Sequence, residues 1–481
     1  MPLRVLQVAA EVTPFAKTGG LGDVVAGLSR FLARTGHDAR IFLPFYSHLA
    51  KEQERYAPVD FIQDVSVQLG PRRFTYSVLT TPLPDSEVNV YFIDCPEAFG
   101  HGAIYHGDRT DALRFALLTV AAFECAQRMA WPPDIVHCHD WHTALAPIYR
   151  RAYLDWDRLF ERTKTVLTIH NLGFQGIVDL SQLADLGLER HALLLDLSPG
   201  HLNFLRNGIL HADVVTAVSR TYAREIQTPE KGFGLDGLLR ARAGSFIGIV
   251  NGVDYGEWNP ETDPFIPHHY SARDLTAKAA MKRALLLSIG MDEETAAPVI
   301  GVVSRLTRQK GFDVAFGVLP ELLARHDVRV VALGSGEPRY EQFFRVLHGQ
   351  FPGKAYFYQG FNNDLAHWIE AGADLFLMPS RFEPCGLNQM YSLRYGTPPV
   401  VHKTGGLADT VEQFDPATGE GTGFLFDHFD SEGFRWALDL ALDCYSHWET
   451  WQRLMRNGMA KDFSWEVQGK EYVELYERLV G

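Results

Sequence analysis

The chain has 481 residues, more than one ordinary hydrophobic core accommodates, so two or three domains are expected. Its net charge of −14 argues against a nucleic-acid or anionic-membrane partner, because both require a basic surface. The five cysteines are scattered and form no CxxC pair, which favours free thiols in the cytoplasm. No stretch reaches the ~18 apolar residues of a membrane helix. The first apolar run closes at Glu11, too early for a signal-peptide core.

Short apolar runs rich in valine and isoleucine alternate along the chain with amphipathic helical stretches. The runs are Leu3–Ala10, Ala39–Leu43, Ile135–Cys138, Thr165–His170, Val214–Val218, Phe246–Val250, Val299–Val303, Val328–Leu333, Ala373–Met378 and Pro399–Val401. Within them polar and apolar residues alternate little, as is typical of parallel strands buried on both faces. Helices predicted over Thr110–Met129 and Arg273–Leu287 supply crossovers, so the pattern predicts doubly wound α/β domains.

Two such domains are predicted, separated by a loop rich in glycine, asparagine and proline. Residues 1–250 form the first domain, residues 251–267 (NGVDYGEWNPETDPFIP) an interdomain linker, and residues 268–464 the second domain. Residues 465–481 follow as a terminal helix with aromatic residues at near-helical spacing. Two tandem Rossmann-like domains are expected to place a ligand in a deep cleft between them, at the carboxyl ends of their strands.

A glycine-rich turn, KTGGLGDV, follows the first predicted strand. Its glycines let the backbone approach a ligand, Lys17 adds a positive charge, and a helix predicted from Asp23 offers free N–H groups to a phosphate. The alternative is a tight structural turn, for which glycine is the default residue. A dinucleotide site is disfavoured, because the spacing is not GxGxxG and no acidic residue ends the second strand.

Two further motifs follow predicted strands of the first domain. In DIVHCHDWHTA, the histidines and Cys138 suggest a metal site, but alternate strand residues face opposite ways and the spacing fits no zinc pattern. We therefore expect no metal here. Instead, we expect that Asp140, Trp141 and His142 lie at the end of the strand and face a sugar. In TIHNLGFQG, His170 ends a predicted strand, which places it at the edge of the cleft. The alternative is a structural histidine that is hydrogen-bonded within the protein.

The second domain carries a basic cluster and a glutamate after strands. Arg305, Arg308 and Lys310 follow one strand and suit a diphosphate; surface solvation is the alternative. In PSRFEPCGLNQ, Glu383 precedes a helix predicted to begin at Gly386 and Leu387, whose first amides are free for a phosphate. A second glycine turn, TGGL, opens another helix. Cys385 has no predicted histidine partner, which argues against a nucleophilic role.

Taken together, these motifs resemble bacterial glycogen synthases and plant starch synthases over nearly the whole chain. The strings KTGGLGDV, HCHDWHTA, TIHN, VNGVDYGEWNPETD, SRLTRQKG, PSRFEPCGLNQMYSLRYGTPPVV and TGGL occur in that family's order. The resemblance implies the GT-B fold, with the C-terminal helix crossing back to the first domain. It also implies retaining transfer of glucose from ADP-glucose to the non-reducing 4-OH end of an α-1,4-glucan such as glycogen.

The residues and the resemblance together assign roles by position. Catalytic roles fall to Asp140, His170, Arg305, Lys310 and Glu383. Donor binding falls to Lys17, Gly20, Asp23, Asn251, Tyr358, Gly386, Leu387, Thr404, Gly405 and Gly406, with Tyr358 stacking on the base. Acceptor binding falls to Tyr105, Trp141 and His142. No cofactor and no metal are expected.

One position departs from many related retaining transferases, which carry a second glutamate where this chain has Tyr391. No nucleophilic carboxylate pair is therefore identified, and a front-face displacement is hypothesised, with Arg305, Lys310 and helix amides stabilising the leaving ADP. The alternatives are UDP-glucose as donor, another acceptor, a pyridoxal-phosphate glucan phosphorylase, an NAD oxidoreductase, or a non-catalytic glucan-binding protein.

Overall fold

The structure is a computed structural model that describes residues 2–481. It divides into two compact units. The first unit contains the chain up to Gly252 together with Trp465–Gly481, and the second contains Val253–Ser464. Among the described residues, no helix is both long and apolar enough to cross a lipid bilayer.

Over its described residues before 252, the first unit has twelve strands and eight α-helices. Its strands are β1 Arg4–Val8, β2 Asp38–Pro44, β3 Ala57–Pro58, β4 Val65–Leu69, β5 Arg72–Pro82, β6 Asn89–Asp94, β7 Ile135–His139, β8 Lys164–Ile169, β9 Ile177–Asp179, β10 His201–Asn203, β11 Val214–Ala217 and β12 Phe246–Gly248. Its helices are α1 Gly20–Arg34, α2 Pro96–Phe99, α3 Thr110–Arg128, α4 Asp140–Thr143, α5 Ala146–Tyr153, α6 Phe204–His211, α7 Arg220–Glu225 and α8 Asp236–Ala241.

The second unit has six strands and eight α-helices. They are α9 Thr276–Ser288, β13 Val299–Leu306, α10 Val318–Arg325, β14 Arg329–Gly336, α11 Pro338–Gln350, β15 Ala355–Gln359, α12 Asn363–Gly372, β16 Leu375–Met378, α13 Asn388–Arg394, β17 Pro399–His402, α14 Gly405–Thr410, β18 Phe424–Phe426, α15 Ser431–Tyr445 and α16 Trp448–Met459. The last helix, α17 Trp465–Val480, belongs to the first unit.

The main sheet of the first unit has the order β12-β11-β8-β7-β1-β2-β6-β5-β3, with β4 paired to β5. The strands from β12 to β6 are parallel, whereas β3, β4 and β5 pair antiparallel. The chain starts in β1 and then places β2 on one side of it and β7 on the other. In doubly wound sheets such a reversal of strand order is where ligands bind.

The sheet of the second unit is wholly parallel, with the order β15-β14-β13-β16-β17-β18. Neighbouring strand residues separate onto opposite faces: Ile300 and Leu375 pack into one apolar cluster, while Val299 and Phe376 pack into another. Both faces of the sheet are therefore covered, which explains why its strands read as apolar runs without alternation. Its strand order reverses between β13 and β16.

The predicted α/β fold class is confirmed, and each of the ten apolar runs overlaps a parallel strand. The antiparallel strands β3, β4 and β5 were not predicted. In β5, the buried residues Phe74 and Tyr76 alternate with the exposed residues Arg73 and Thr75. This period of two is the signal of a strand covered on one face, and it differs from the continuous apolar runs by which the parallel strands were found.

Candidate active site

In the first unit, the predicted residues gather at the carboxyl ends of β1, β7 and β8. Asp140 directly follows β7, and His170 directly follows β8. Because parallel strands end at the same edge of a sheet, both residues lie at the edge where the strand order reverses next to β1. This edge is the position that the sequence analysis assigned to a ligand.

Asp140 fixes the loop that follows β8. Its Oδ1 accepts hydrogen bonds from the backbone amides of His170 and Asn171, at 2.6 and 3.1 Å. Burial raises the pKa of the Asp140 carboxyl to about 7, and these two amide bonds offset part of that increase. No hydrogen bond to another described residue uses Oδ2. The carboxyl group therefore orders the loop after β8 with one oxygen, and its other oxygen bonds no other described residue.

His170 is backed by polar side chains that the sequence analysis did not assign. Its Nε2 lies 3.0 Å from Nδ1 of His139, whose Nε2 lies 2.8 Å from Oε1 of Gln7. Burial lowers the pKa of His170 to about 3, so its imidazole is neutral at physiological pH. The strand period could have pointed to His139, since alternate strand residues share one face.

The histidines of β7 form no metal cluster with their neighbours. The rings of His137 and His139 share one face of the strand, with centroids 4.3 Å apart. Among the described residues, no group of three or more histidine, cysteine, aspartate or glutamate side chains could hold a metal ion.

The three predicted acceptor residues lie together in an aromatic cluster. The rings of Tyr105 and His142 stack with centroids 4.8 Å apart, and Trp141 lies 4.4 Å from His142. Phe115 of α3 contacts both His142 and Trp141 edge to face. The buried Nδ1 of His142 has no hydrogen-bond partner among the described residues. The cluster thus packs several aromatic rings around a buried nitrogen that bonds no other described residue.

The glycine-rich turn brings Lys17, Gly20 and Asp23 together, with one correction. The helix begins at Gly20 and not at Asp23, because Gly19 takes the extended N-cap conformation and Asp23 lies in the first turn. Lys17 Nζ contacts Asp23 Oδ1 at 2.8 Å. This pairing holds the charge of Lys17 beside the positive end of α1, where an anion is favoured.

Glu11 is a buried residue of this turn that the sequence analysis missed. Its carboxylate accepts the backbone amides of Thr18 and Gly19 at 2.6 and 3.1 Å, and it also accepts the hydroxyls of Thr18 and Tyr105. Two amides of the turn are therefore occupied, which leaves the amides of the first turn of α1 for a ligand. Glu11 also joins the glycine-rich turn to the aromatic cluster.

Asn251 lies just beyond β12 and is 4% exposed. Its Oδ1 has no hydrogen-bond partner among the described residues. A buried polar atom without a partner is costly, so this oxygen fits a position where a ligand supplies the missing donor.

In the second unit, Lys310 and Glu383 form an ion pair. Lys310 follows β13 and Glu383 follows β16, the two strands between which the strand order reverses. Lys310 Nζ lies 2.6 Å from Glu383 Oε2, and Ser380 Oγ donates to the same oxygen at 2.8 Å. The glutamate side chain is 6% exposed, so removal of the lysine would leave a buried charge without compensation.

Arg305 lies at the end of β13 and is exposed. No hydrogen bond or ion pair to another described residue engages its guanidinium. An arginine without a protein partner at the carboxyl end of a central strand is available for a bidentate contact with a phosphate.

The glycines of the second unit pack against the Glu383 loop. The amide of Gly406 donates to the carbonyl of Glu383 at 3.0 Å, and a Cβ atom at Gly405 would lie 1.9 Å from the same oxygen. Thr404, the N-cap residue of α14, is fully buried. The helix predicted at Gly386 and Leu387 begins instead at Asn388, because Gly386 has a left-handed φ of 74°.

The remaining predicted positions of this unit are also placed. Tyr358 lies on β15, beside Leu333 of β14, and is half-buried. Cys385 is 3% exposed, so it is poorly placed for nucleophilic attack. The ring of Tyr391 stacks on Trp258 with centroids 4.1 Å apart, and Trp258 stacks on His367 at 3.8 Å. Position 391 therefore serves packing and presents no second carboxylate.

Two family models and several known proteins are similar to this chain. Residues 4–241 match the family described as starch synthase catalytic domain, and residues 291–460 match glycosyl transferases group 1. A glycogen synthase from Koribacter versatilis is 45% identical, covering 98% of this chain and 97% of its own length. A glycogen synthase from Streptococcus sanguinis is 43% identical, covering 99% of this chain and 100% of its own length.

Solved structures agree with these sequence relationships. The catalytic domain of starch synthase IV from Arabidopsis thaliana, bound to ADP and acarbose, has a TM-score of 0.92 and 35% identity, with 100% of each chain covered. A sucrose-phosphate synthase from Thermosynechococcus elongatus has a TM-score of 0.61 at 17% identity, covering 99% of each chain, and supports the GT-B fold alone. Full-length identity above 40% to curated glycogen synthases shows that this chain belongs to the glycogen synthase (starch synthase) family of hexosyltransferases.

Proposed function

We propose that the protein extends an α-1,4-glucan such as glycogen by transferring glucose from ADP-glucose with retention of configuration. The observation that carries this proposal is the Lys310–Glu383 pair at the strand reversal of the second unit, with the unpartnered Arg305 on the same strand end. A carboxylate can accept hydrogen bonds from sugar hydroxyls, and two cationic side chains can bind a diphosphate. Together these groups suit a ligand in which a sugar is joined to a diphosphate.

The donor phosphates are proposed to bind Arg305 and Lys310. As the bond between glucose C1 and the phosphate oxygen breaks, negative charge grows on the leaving ADP, and both cations stabilise it. The acceptor 4-OH attacks C1 from the same face, and its proton passes to the departing phosphate oxygen. Because these cations are held in place before the reaction, they lower the barrier without reorganisation.

In the first unit, Asp140, His170 and Asn251 are proposed to bind sugar hydroxyls. Each has a polar atom that is not bonded to another described residue, and Asp140 also orders the amide of His170. Lys17, Gly20 and Asp23 form an anion-type helix start for the donor.

The aromatic cluster of Tyr105, Trp141 and His142 is proposed as the glucan acceptor site. Tyr105 and Trp141 are half-buried, and the exposed parts of their rings are proposed to contact the apolar faces of glucose units. In such sites a few polar groups fix the orientation of a ligand that is held mainly by apolar walls.

ADP is proposed as the donor nucleotide on two grounds. The starch synthase structure described above, 35% identical to this chain, is bound to ADP. Tyr358 lies near the end of β15 and packs in part against an apolar cluster of the second unit, and the part of its ring that stays exposed is proposed to stack on a base. We also propose a cytoplasmic location, because all five cysteines are free thiols, as in proteins of reducing compartments.

The test is incubation of the purified protein with glycogen and radiolabelled ADP-glucose or UDP-glucose, followed by counting of the label in precipitated glucan. Incorporation from ADP-glucose far above that from UDP-glucose is the expected result. Incorporation mainly from UDP-glucose would retain the transferase and refute the donor. No incorporation from either donor would refute the proposed reaction.

A further inference from the structure

The side chains behind His170 form a chain of hydrogen bonds whose direction is set by one amide. Oε1 of Gln7 can only accept, so Nε2 of His139 must carry the proton between them. In a neutral imidazole the other nitrogen is then an acceptor, so Nδ1 of His139 receives its bond from Nε2–H of His170. This order leaves a lone pair on Nδ1 of His170.

Burial keeps both histidines neutral, so each ring has one donor nitrogen and one acceptor nitrogen. Gln7 and His139 are fully buried, and burial lowers the pKa of His139 well below its usual value. His170 is the only partly exposed member of the three, and no hydrogen bond to another described residue uses its Nδ1. Several ionisable groups face these three hydrogen-bonded side chains. They are His137 on β7, Asp140 and His142 on α4, Glu11 after β1, and Tyr472 and Tyr476 on α17.

We infer that Gln7 and His139 are positioning residues that hold His170 in the tautomer whose Nδ1 accepts a hydrogen bond from a sugar hydroxyl. This inference rests on the proposed function for the identity of the ligand, whereas the tautomer itself follows from the protein contacts. The hydroxyl of a bound glucose unit donates to Nδ1 of His170 and is thereby oriented. With the opposite tautomer, Nδ1 would carry a hydrogen and would reject that donor.

Two substitutions of Gln7 test the inference. Gln7→Met keeps a similar volume but removes the acceptor, so His170 samples both tautomers and kcat/KM is expected to fall about 10-fold, as is typical when an orienting partner is lost. Gln7→Glu keeps an acceptor at high pH, so its kcat/KM is expected to approach wild type there. On acidification, the introduced carboxylate and His139 together take up one proton. His139 then donates from Nδ1 to Nε2 of His170, which reverses that hydrogen bond, and activity is expected to fall.

This loss of activity at low pH, an acid limb of the pH–activity profile that wild type lacks, is the diagnostic result. None of Gln7, His139 and His170 titrates between about pH 6 and pH 9 in wild type. A loss of packing alone would lower activity equally at every pH. The matched control is Thr216→Val, which removes a buried hydroxyl from the adjoining chain of Thr168 and His137 without touching His170. Its kcat/KM is expected to stay within about twofold of wild type, because Thr216 bonds none of Gln7, His139 and His170, and sites that share no contact act nearly independently.

A measurement that does not depend on activity accompanies the kinetics. The nitrogen chemical shifts of histidine rings report which nitrogen carries the proton, and His170 is expected to show Nε2–H in wild type and a mixture in Gln7→Met. Wild-type activity in Gln7→Met, an absent acid limb in Gln7→Glu, or a Nδ1–H tautomer of His170 in wild type would each overturn the inference. Failure of wild type to transfer glucose would refute the proposed function and leave the tautomer measurement valid.

Discussion

At the scale of single residues, Lys310 and Glu383 combine stabilisation of the fold with a proposed chemical role. Lys310→Met leaves the glutamate buried and unpaired, so it is expected to cost about 3 kcal/mol or more of stability. It should also lower kcat about 100-fold or more, because a charge that stabilises the leaving group is removed. Urea unfolding and steady-state turnover measure the two effects separately.

A double substitution separates these two effects of Lys310. Adding Glu383→Gln to Lys310→Met removes the uncompensated charge, so much of the lost stability is expected to return. Turnover should remain low, because neither the cation nor the carboxylate is restored. A double variant that regained both stability and turnover would contradict the proposed role of the pair.

The carboxyl of Asp140 makes stability depend on pH in a predictable direction. Its folded pKa of about 7 lies above the ordinary value of 3.8, so the folded chain binds its proton more tightly than the unfolded chain does. This contribution to stability is complete below pH 3.8 and is lost as pH rises through 7. Asp140→Asn keeps the Oδ1 acceptor and removes the titration. Its stability relative to wild type is expected to increase by about 2–3 kcal/mol from pH 5 to pH 8.

Denaturant unfolding of wild type and Asp140→Asn at several pH values measures this difference. The bonds from Oδ1 to the amides of His170 and Asn171 are retained in the variant, so it should fold like wild type at pH 5. A stability difference that stays constant across this pH range would show that Asp140 is not buried as a titrating carboxyl.

At the scale of elements, the start of α14 depends on two glycines that contact neighbouring backbone. A Cβ atom at Gly406 would lie 2.2 Å from the carbonyl oxygen of Cys385. Gly406→Ala is therefore expected to move α14 away from the Glu383 loop and to cost about 1–3 kcal/mol, the usual cost of overpacking. The KM for the donor should rise as well, because that loop carries Glu383.

A glycine without such neighbours supplies the control. A Cβ atom at Gly349 of α11 meets nothing within 4 Å. Gly349→Ala is expected to be neutral or to stabilise by up to about 1 kcal/mol, because alanine favours the helix. Equal effects of the two substitutions on melting temperature and KM would contradict the steric argument.

The sequence located the strand ends, and with them Asp140, His170, Arg305 and Lys310. This was possible because parallel strands buried on both faces give apolar runs that end abruptly at the site. Glu383, the ion-pair partner of Lys310, was also assigned from the sequence, whereas the buried polar partners in the first unit were not found. Gln7 and His139 are buried polar residues that meet across strands distant in sequence. Glu11 bonds the nearby Gly19, but it also accepts from Tyr105, which lies 94 residues further along the chain. The stack of Tyr391 on Trp258 was hidden for the same reason.

At the scale of the whole molecule, the first unit is completed by the last helix of the chain. Trp465 of α17 is buried, and a Cβ atom at Gly27 would lie 1.9 Å from its Nε1. A Cβ atom at Gly469 would lie 2.3 Å from Cδ1 of Phe31 on α1, and Tyr476 bonds His137 at 2.7 Å. The second unit has apolar clusters composed entirely of its own residues. Removal of α17 should therefore weaken one unit and leave the other intact.

A chain ending at Ser464 tests this expectation against the full-length protein by calorimetry. The transition of the first unit is expected to fall by more than about 10 °C or to disappear, because the cavity left by Trp465 alone typically costs about 3–5 kcal/mol and each kcal/mol lowers the midpoint by about 2–4 °C. The transition of the second unit should keep its midpoint. Trp465→Ala in the full chain should lower the same transition by less, since Tyr476 and its bond to His137 remain. If truncation lowered the midpoints of both transitions equally, the two units would not unfold independently. The division of the chain at Gly252 and Trp465 would then separate two groups of contacts that unfold as one cooperative unit.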